Sequence, residues 1–283
     1  MVRNDISTTQ ILRYTDKEAI EAEDFLATEE PMEIRLISGT AENRTKKSLS
    51  VTMRTPGNDL ELATGFLFTE GMIHSAADIQ SISHCNDIIC LDPENIVEVV
   101  FDENASFDWK NLERHFYATS SCGVCGKASI DAIKTSNKHL RSEKKDWRVS
   151  PELIYSLPDL LRKEQSVFES TGGLHASAIF DLHGKLLLLR EDVGRHNALD
   201  KLIGAALQNG DIPLDEHILL LSGRASFELL QKAAMAGIQM VVAVGAPSSL
   251  AVQMAEDFGI TLIGFLRGRR FNVYTRNESI ITD

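Results

Sequence analysis

The segment that decides the fold is residues 218–265, ILLLSGRASFELLQKAAMAGIQMVVAVGAPSSLAVQMAEDFGITLIGF. It alternates three apolar runs with two helical stretches: Ile218–Leu221, Ala225–Ala236, Met240–Val244, Ser249–Phe258 and Ile260–Phe265. Gly237 and Gly259 stand where the two helices should end. Strands that alternate with helices across short loops predict a parallel βαβαβ unit, and continuous apolar runs are typical of strands buried on both faces.

Upstream of this unit, the chain has clear start and stop signals. Ser150 and Pro151 suit the N-cap and the first position of a helix. A β-hairpin is expected over residues 176–190, and a helix over about Asn197–Leu207. We therefore assign residues 151–283 to one C-terminal domain.

The N-terminal half gives the pattern of a smaller α/β domain. Strands are expected over Met32–Ser38, Ser48–Arg54 and Ile96–Phe101. The apolar residues of Asp59–Thr69 recur at helical spacing. The predicted organisation before the C-terminal domain is an acidic arm (1–30), an N-terminal α/β domain (31–117), and a cysteine-containing segment with a linker (118–150).

Composition excludes several classes of function. The chain has 283 residues and a formal charge of −12, which disfavours general nucleic-acid binding because that needs broad positive potential. Its apolar runs are too short to span a bilayer, and its first residues lack the apolar region of a secretory signal. With four cysteines, a disulfide scaffold is not expected, and a cytoplasmic, reduced setting fits best. We expect Cys85 and Cys90 to be buried bystanders.

Polar loops should converge at one edge of the predicted sheet. They are 190–195, 222–224, 245–249 and 265–270. The carboxyl ends of parallel strands share an edge, where ligands gather, and helix N-termini there favour phosphate. The arginines of the last loop can pair with phosphate oxygens. Together the loops predict a nucleotide-like ligand, although any one of them has the composition of an ordinary turn.

The motif Cys122-Gly-Val-Cys125 has three chemical interpretations. As half of a zinc site it lacks an obvious second pair of ligands, because Cys85 and Cys90 are not spaced as a second knuckle. As a redox pair it lacks the surrounding βαβ unit of thioredoxin-like proteins. As a sulfur carrier it needs a reactive thiolate, which Lys127 and a helix starting near that position would stabilise.

Zinc-dependent deamination is disfavoured by the sequence. That chemistry uses His-x-Glu followed by Pro-Cys-x-x-Cys. Here His175 is followed two positions later by Ser177, and the cysteine pair precedes the histidine. No metal site is therefore assigned.

Several motifs, taken together, resemble the FdhD family of formate dehydrogenase accessory sulfurtransferases. They are Met53-Arg-Thr-Pro-Gly57, Gly65-Phe-Leu67 with Glu70-Gly71, Cys122-Gly-Val-Cys125-Gly, Thr171-Gly-Gly-Leu-His175, Glu191-Asp-Val-Gly-Arg-His-Asn-Ala-Leu-Asp-Lys201, Ser222-Gly-Arg-Ala-Ser226 and Gly264 through Arg270. The resemblance extends over about residues 30–276, in order and at matching spacing.

The resemblance implies an α/β protein with a C-terminal cytidine-deaminase-like, three-layer sheet domain and a smaller N-terminal α/β domain. It implies a cytoplasmic homodimer that takes sulfur from a cysteine desulfurase and transfers it to the molybdenum cofactor needed by formate dehydrogenase. Cys122 would carry the persulfide, with Cys125 in a less defined relay or protecting role. No nucleic acid or membrane partner is expected.

The resemblance also locates the cofactor, a bis(molybdopterin guanine dinucleotide) molybdenum species, with GDP-like ligands as its mimics. It implies binding by the segment Phe265, Leu266, Arg267, Gly268, Arg269 and Arg270. From loop position we add the pocket residues Arg195, His196, Asn197, Ser222, Arg224 and Lys232. Two rival functions stay open: a cofactor-binding chaperone that moves no sulfur, and a zinc-stabilised binding module.

Overall fold

The computed structural model describes residues 5–39, 43–87, 90–102 and 146–281. Numbered in chain order within these ranges, the strands and helices are β1 (Ile6–Tyr14), β2 (Ala19–Ala27), β3 (Glu30–Ser38), β4 (Thr45–Arg54), α1 (Asp59–Thr69), β5 (Ile79–His84), β6 (Ile96–Phe101), α2 (Pro151–Glu164), α3 (Ser166–Thr171), β7 (His175–Asp181), β8 (Leu186–Asp192), α4 (Arg195–Asn209), β9 (His217–Leu221), α5 (Phe227–Met235), β10 (Met240–Ala243), α6 (Ser249–Phe258), β11 (Thr261–Arg267) and β12 (Arg270–Val273).

The C-terminal half contains a six-stranded sheet of order β12-β11-β10-β9-β7-β8. Strands β9, β10 and β11 are parallel neighbours, which confirms the predicted βαβαβ unit. Strand β7 joins the same sheet antiparallel to β9 and forms the predicted hairpin with β8. The sheet is therefore mixed, and the α/β class is confirmed.

Helices cover both faces of this sheet because its strands are apolar on both faces. On one face, buried residues of α4, α5 and α6 pack against Leu219 and Val241. On the other face, Ile154 and Leu157 of α2 pack against Leu220. Helix α2 begins as predicted, because the Ser150 hydroxyl accepts a hydrogen bond of 3.3 Å from the backbone N–H of Leu153.

The N-terminal half forms a four-stranded sheet of order β4-β3-β6-β5. Strands β3 and β4 pair antiparallel as predicted, and α1 has the predicted bounds. Helix α1 packs on α4 at a very close crossing. An added Cβ at Gly65 would come within 1.8 Å of the Asp200 carbonyl oxygen, and one at Gly204 within 1.9 Å of the Glu61 carbonyl oxygen. Only glycine lets the two helix backbones approach this closely.

The acidic arm is a β-hairpin in which β1 pairs with β2 antiparallel from Ile6–Ala27 to Tyr14–Ala19. Its base lies near α3, since an added Cβ at Gly173 would be 3.6 Å from the Cβ of Ala27. Among the described residues, no helix is both long and apolar enough to cross a membrane.

Two local features differ from the sequence predictions. Strand β11 does not end in a loop at Phe265 but continues to Arg267 and turns back as β12. Cys85 and Cys90, expected to be buried bystanders, are bonded to each other as a disulfide; Cys85 is buried, whereas Cys90 is only partly buried. The sequence did not predict this disulfide because the two cysteines are five residues apart, a spacing that is typical of no common motif.

Candidate functional site

The polar loops do converge at one edge of the six-stranded sheet, as predicted. Backbone hydrogen bonds join three of the four loops: the Gly245 N–H donates to the Gly223 carbonyl at 2.9 Å, and the Phe265 N–H donates to the Gly245 carbonyl at 3.0 Å. The Ser222 hydroxyl accepts a hydrogen bond of 2.8 Å from the Ala176 N–H at the start of β7. These contacts fix the edge as one connected surface.

A groove of about 980 Å³ opens at this edge, between α2 and the turn from β11 to β12. Helix α2 contributes its polar face, with Glu152, Tyr155, Ser156, Asp159 and Arg162. The other walls include Phe168, Gly172, Gly173, Leu174, His175, Ser222, Val244, Leu266, Arg267, Gly268 and Arg269. The volume lies at the upper end of the range for small-molecule sites, roughly 300–1,000 Å³. The groove therefore has room for a large, partly charged ligand.

His175, the first residue of β7, lies in the wall of the groove. An added Cβ at Gly223 would come within 3.3 Å of its Nδ1 atom, so the glycine makes room for the ring. Burial lowers the pKa of His175, and the positive charges of Arg195 and His196 lower it further, against the opposing effect of Asp192. The neutral imidazole is favoured, which can donate one hydrogen bond and accept another.

Only part of the segment Phe265–Arg270 lines the groove. Leu266, Arg267, Gly268 and Arg269 line the groove, whereas Phe265 and Arg270 do not belong to its lining. Phe265 has a φ of 56°, in the left-handed region that non-glycine residues rarely adopt. Its backbone forms the irregularity in the β11–β12 pairing between Gly264 and Arg267. Such strain costs about 1–3 kcal/mol and occurs often at ligand sites.

The motif Glu191–Lys201 forms a buried junction between the two sheets. The Asp192 carboxylate accepts hydrogen bonds from Thr55 N–H at 3.2 Å and Gly194 N–H at 2.8 Å. It also pairs with the Lys201 amine at 2.7 Å, and both side chains are at most 2% exposed. The polar residues of this motif therefore form part of the contact between the two halves as well as part of the sheet edge.

Comparison with known proteins gives the family of the chain. The FdhD/NarQ family model matches residues 27–281. This chain belongs to the FdhD/NarQ family. The resemblance drawn from the motifs is therefore confirmed.

Relatives of the FdhD/NarQ family match almost the whole chain. A protein named sulfur carrier protein FdhD from Streptomyces coelicolor is 49% identical over 273 residues, covering 96% of this chain and 94% of its own. The proteins of the same name from Mycobacterium tuberculosis and Sulfolobus acidocaldarius are 46% and 42% identical, covering 90% and 97% of this chain and 91% and 98% of their own. The crystal structure of a proposed formate dehydrogenase accessory protein from Desulfotalea psychrophila superposes with a TM-score of 0.71 at 22% identity, covering 98% of this chain and 99% of that one. That structure supports the fold.

Asn197 is one of the predicted pocket residues. Its side chain forms hydrogen bonds in the junction between the two sheets. Its amide donates hydrogen bonds of 2.8 Å to the Met53 carbonyl and 3.2 Å to Asp192. Asn197 therefore lies near the edge of the sheet but outside the groove lining.

Arg195, His196 and Arg224 lie at the same edge, and none of them belongs to the groove lining. The Nε2 atom of His196 is 3.0 Å from the Glu228 carboxylate, which links the starts of α4 and α5. Arg224 borders Gly245, whose added Cβ would be 2.9 Å from its Cγ atom. These three side chains flank the groove rather than form its walls.

Lys232 is predicted as a pocket residue, whereas the structure places its amine in a buried ion cluster between α5, α4 and the end of α1. The amine is 2.9 Å from Asp200 and 2.9 Å from the Thr69 hydroxyl, and 3.4 Å from Glu70. Burial by itself lowers the pKa of Lys232, but the carboxylates of Asp200 and Glu70 outweigh it and raise that pKa. A charged amine with three partners in the protein is not available to a ligand in the groove.

Cys122 and Cys125 lie outside the described residues, so their roles stay predictions. Within the described residues, no group of three or more His, Cys, Asp or Glu side chains could hold a metal ion. The groove residues that sequence reasoning missed are those of α2, chiefly Tyr155, Asp159 and Arg162. Their spacing along one helix face was a usable signal, but exposed polar residues recur at that spacing on most surface helices.

Proposed function

We propose that this chain is a sulfur carrier that takes sulfur from a cysteine desulfurase and transfers it to the molybdenum cofactor required by formate dehydrogenase. Its family supports the proposal, since the relatives above are named sulfur carrier proteins. The observation that carries the cofactor half is the groove, which four residues of the predicted cofactor segment line together. A carrier needs both a reactive thiol and a place to hold its client.

The sulfur step is a thiol–persulfide exchange. The Cys122 thiolate attacks the terminal sulfur of the desulfurase persulfide. A new S–S bond forms at Cys122, the S–S bond of the desulfurase breaks, and its cysteine leaves as a thiolate. The proton of the transferred sulfur stays with it, so Cys122 ends as a persulfide and no external oxidant is needed. Cys125 is proposed to relay or protect that sulfur.

The cofactor step uses the groove. The guanidinium groups of Arg267 and Arg269 lie on the turn from β11 to β12 and can pair with the phosphates of a guanine dinucleotide. Ser222 and His175 lie in the wall at the edge of the sheet and offer hydrogen bonds to polar parts of the cofactor. The molybdenum cofactor is the client of this site.

We also propose where the protein acts in the cell, its oligomeric state and its partners. It places the protein in the cytoplasm as a homodimer, with the desulfurase and formate dehydrogenase as partners. It also includes a cytidine-deaminase-like C-terminal domain, for which the mixed sheet with helices on both faces is the support.

Formate dehydrogenase activity tests the proposal. The dehydrogenase is produced in cells that lack this chain and in cells that supply the wild type, Cys122→Ala or Ser83→Ala. We expect activity with the wild type and with Ser83→Ala, a control at an exposed position outside the groove lining, and loss of activity with Cys122→Ala because no persulfide can form.

Two results would favour the rival functions instead. Full dehydrogenase activity with Cys122→Ala would favour a chaperone that holds the cofactor without moving sulfur. Stoichiometric zinc in the purified wild type that is lost in Cys122→Ala would favour a zinc-stabilised binding module.

A further inference from the structure

The groove wall formed by α2 has a feature that the sequence predictions do not use. Glu152, Tyr155, Ser156 and Asp159 follow each other at intervals of three, one and three residues and all line the groove. Residues three or four apart on a helix lie on one face, with Cβ atoms about 5–6 Å apart. An aromatic ring therefore stands between two carboxylates on the same wall.

The ring of Tyr155 is held in place and has one face that a planar group can cover. Its centroid lies 5.3 Å from that of Phe271, which fixes the ring from one side. The guanidinium of Arg269 lies 5.1 Å from the Tyr155 centroid. The Arg269 side chain is 76% exposed, so a ligand can displace it from the ring at little cost. A nucleic-acid base stacked on an aromatic ring gains about 1–3 kcal/mol.

The two carboxylates beside this ring differ in their partners. Glu152 is 3.5 Å from the Arg269 guanidinium and is thereby compensated. Asp159 is exposed, and within the described part of the chain its carboxylate makes no hydrogen bond or ion pair. It remains available to a ligand that lies on Tyr155.

We propose that Asp159 recognises the Watson–Crick edge of a guanine base stacked on Tyr155 and so selects guanine nucleotides. The inference rests on the proposed function, which puts a guanine dinucleotide in this groove. Guanine presents two parallel donors, the ring N–H and the exocyclic amine, which a carboxylate accepts as a bidentate pair. Hypoxanthine lacks the exocyclic amine, and adenine presents a ring acceptor to the carboxylate at that position.

The turn from β11 to β12 fits the rest of such a ligand. Arg267 and Arg269 line the same groove on this turn, where Gly268 adopts a φ of 54°. A nucleotide whose base lies on Tyr155 can extend its phosphates toward the two arginines, while Asp159 lies beside the base. Charge thus orients the nucleotide in one direction along the groove.

Calorimetric titration of the full-length protein tests this inference. GDP, inosine diphosphate and ADP are titrated into the wild type, Asp159→Asn and Glu164→Gln. We expect the wild type to prefer GDP, and Asp159→Asn to bind GDP about tenfold or more weakly with a GDP-to-inosine-diphosphate ratio near one, because the bidentate charged acceptor is lost. Glu164→Gln, which removes an exposed carboxylate of α2 outside the groove lining, should keep the preference.

The outcomes separate the two proposals. GDP binding by the wild type with the same nucleotide preference in Asp159→Asn would overturn the role of Asp159 and leave the proposed function standing. No GDP binding by the wild type would overturn the guanine-cofactor part of the proposed function and this inference with it. Because Asp159 is exposed, an unchanged thermal midpoint is expected and excludes unfolding as the cause of a loss.

Discussion

At the scale of single residues, Asp192 and Lys201 form a buried ion pair at the junction between the two halves of the molecule. Both side chains hydrogen-bond to the backbone of Thr55 in the N-terminal half. Asn197 completes that junction. His175, in contrast, lies in the groove wall. Which residues face a ligand depends on contacts between distant segments.

The lowered pKa of His175 predicts a pH dependence of stability. Below the ordinary value of 6.5, the unfolded chain takes up a proton that the folded protein resists, so the free energy of unfolding falls as pH decreases until the lowered folded pKa is reached. His175→Gln should remove this part of the loss. The effect should be under about 1 kcal/mol, because the side chain is half exposed and solvent screens it.

Urea unfolding at about pH 7.5 and about pH 5.5 measures this difference. The wild type measured over the same pH interval is the reference, and its loss of stability should exceed that of His175→Gln. An equal loss of stability in the wild type and His175→Gln would contradict the assignment.

At the scale of elements, hydrophobic periodicity predicted most of the described helices and strands. The parallel unit β9–α5–β10–α6–β11 has apolar strands and glycine helix ends that leave little ambiguity. The end of β11 was not predictable, because Phe265 adopts a left-handed φ that sequence rules assign to glycine. The β1–β2 hairpin was missed because acidic residues interrupt the pattern of β2 and exposed apolar side chains, such as Leu12 and Phe25, interrupt the alternation on both strands.

The crossing of α1 and α4 gives a prediction at this scale. Replacing glycine by alanine inside a helix normally stabilises it by about 0.5–1 kcal/mol. Gly204→Ala should instead destabilise the protein by about 1–3 kcal/mol or more, because the added methyl would meet the Glu61 carbonyl oxygen at 1.9 Å. The control Asn209→Ala, at the exposed last residue of α4, should change the free energy of unfolding by less than about 0.5 kcal/mol. Chemical denaturation distinguishes these results, and a stabilised Gly204→Ala would show that the helices are not in backbone contact.

At the scale of the whole molecule, the two halves share one hydrophobic core. Ile34 and Val97 of the N-terminal sheet belong to the same buried cluster as Leu219 and Val241 of the C-terminal sheet. The sequence indicated two sets of elements but could not show that α1 and α4 would join them. The groove likewise combines α2 with a turn more than a hundred residues later in the chain, which only the folded structure brings together.

We propose that this molecule carries sulfur on Cys122 and presents it to a cofactor held in the groove. The most direct test is the mass of the intact protein after incubation with a cysteine desulfurase and cysteine. We predict the gain of one sulfur atom in the wild type, its assignment to Cys122 by peptide analysis, its removal by a thiol reductant, and its absence in Cys122→Ala. No gain of sulfur in the wild type, or an equal gain in Cys122→Ala, would contradict the account.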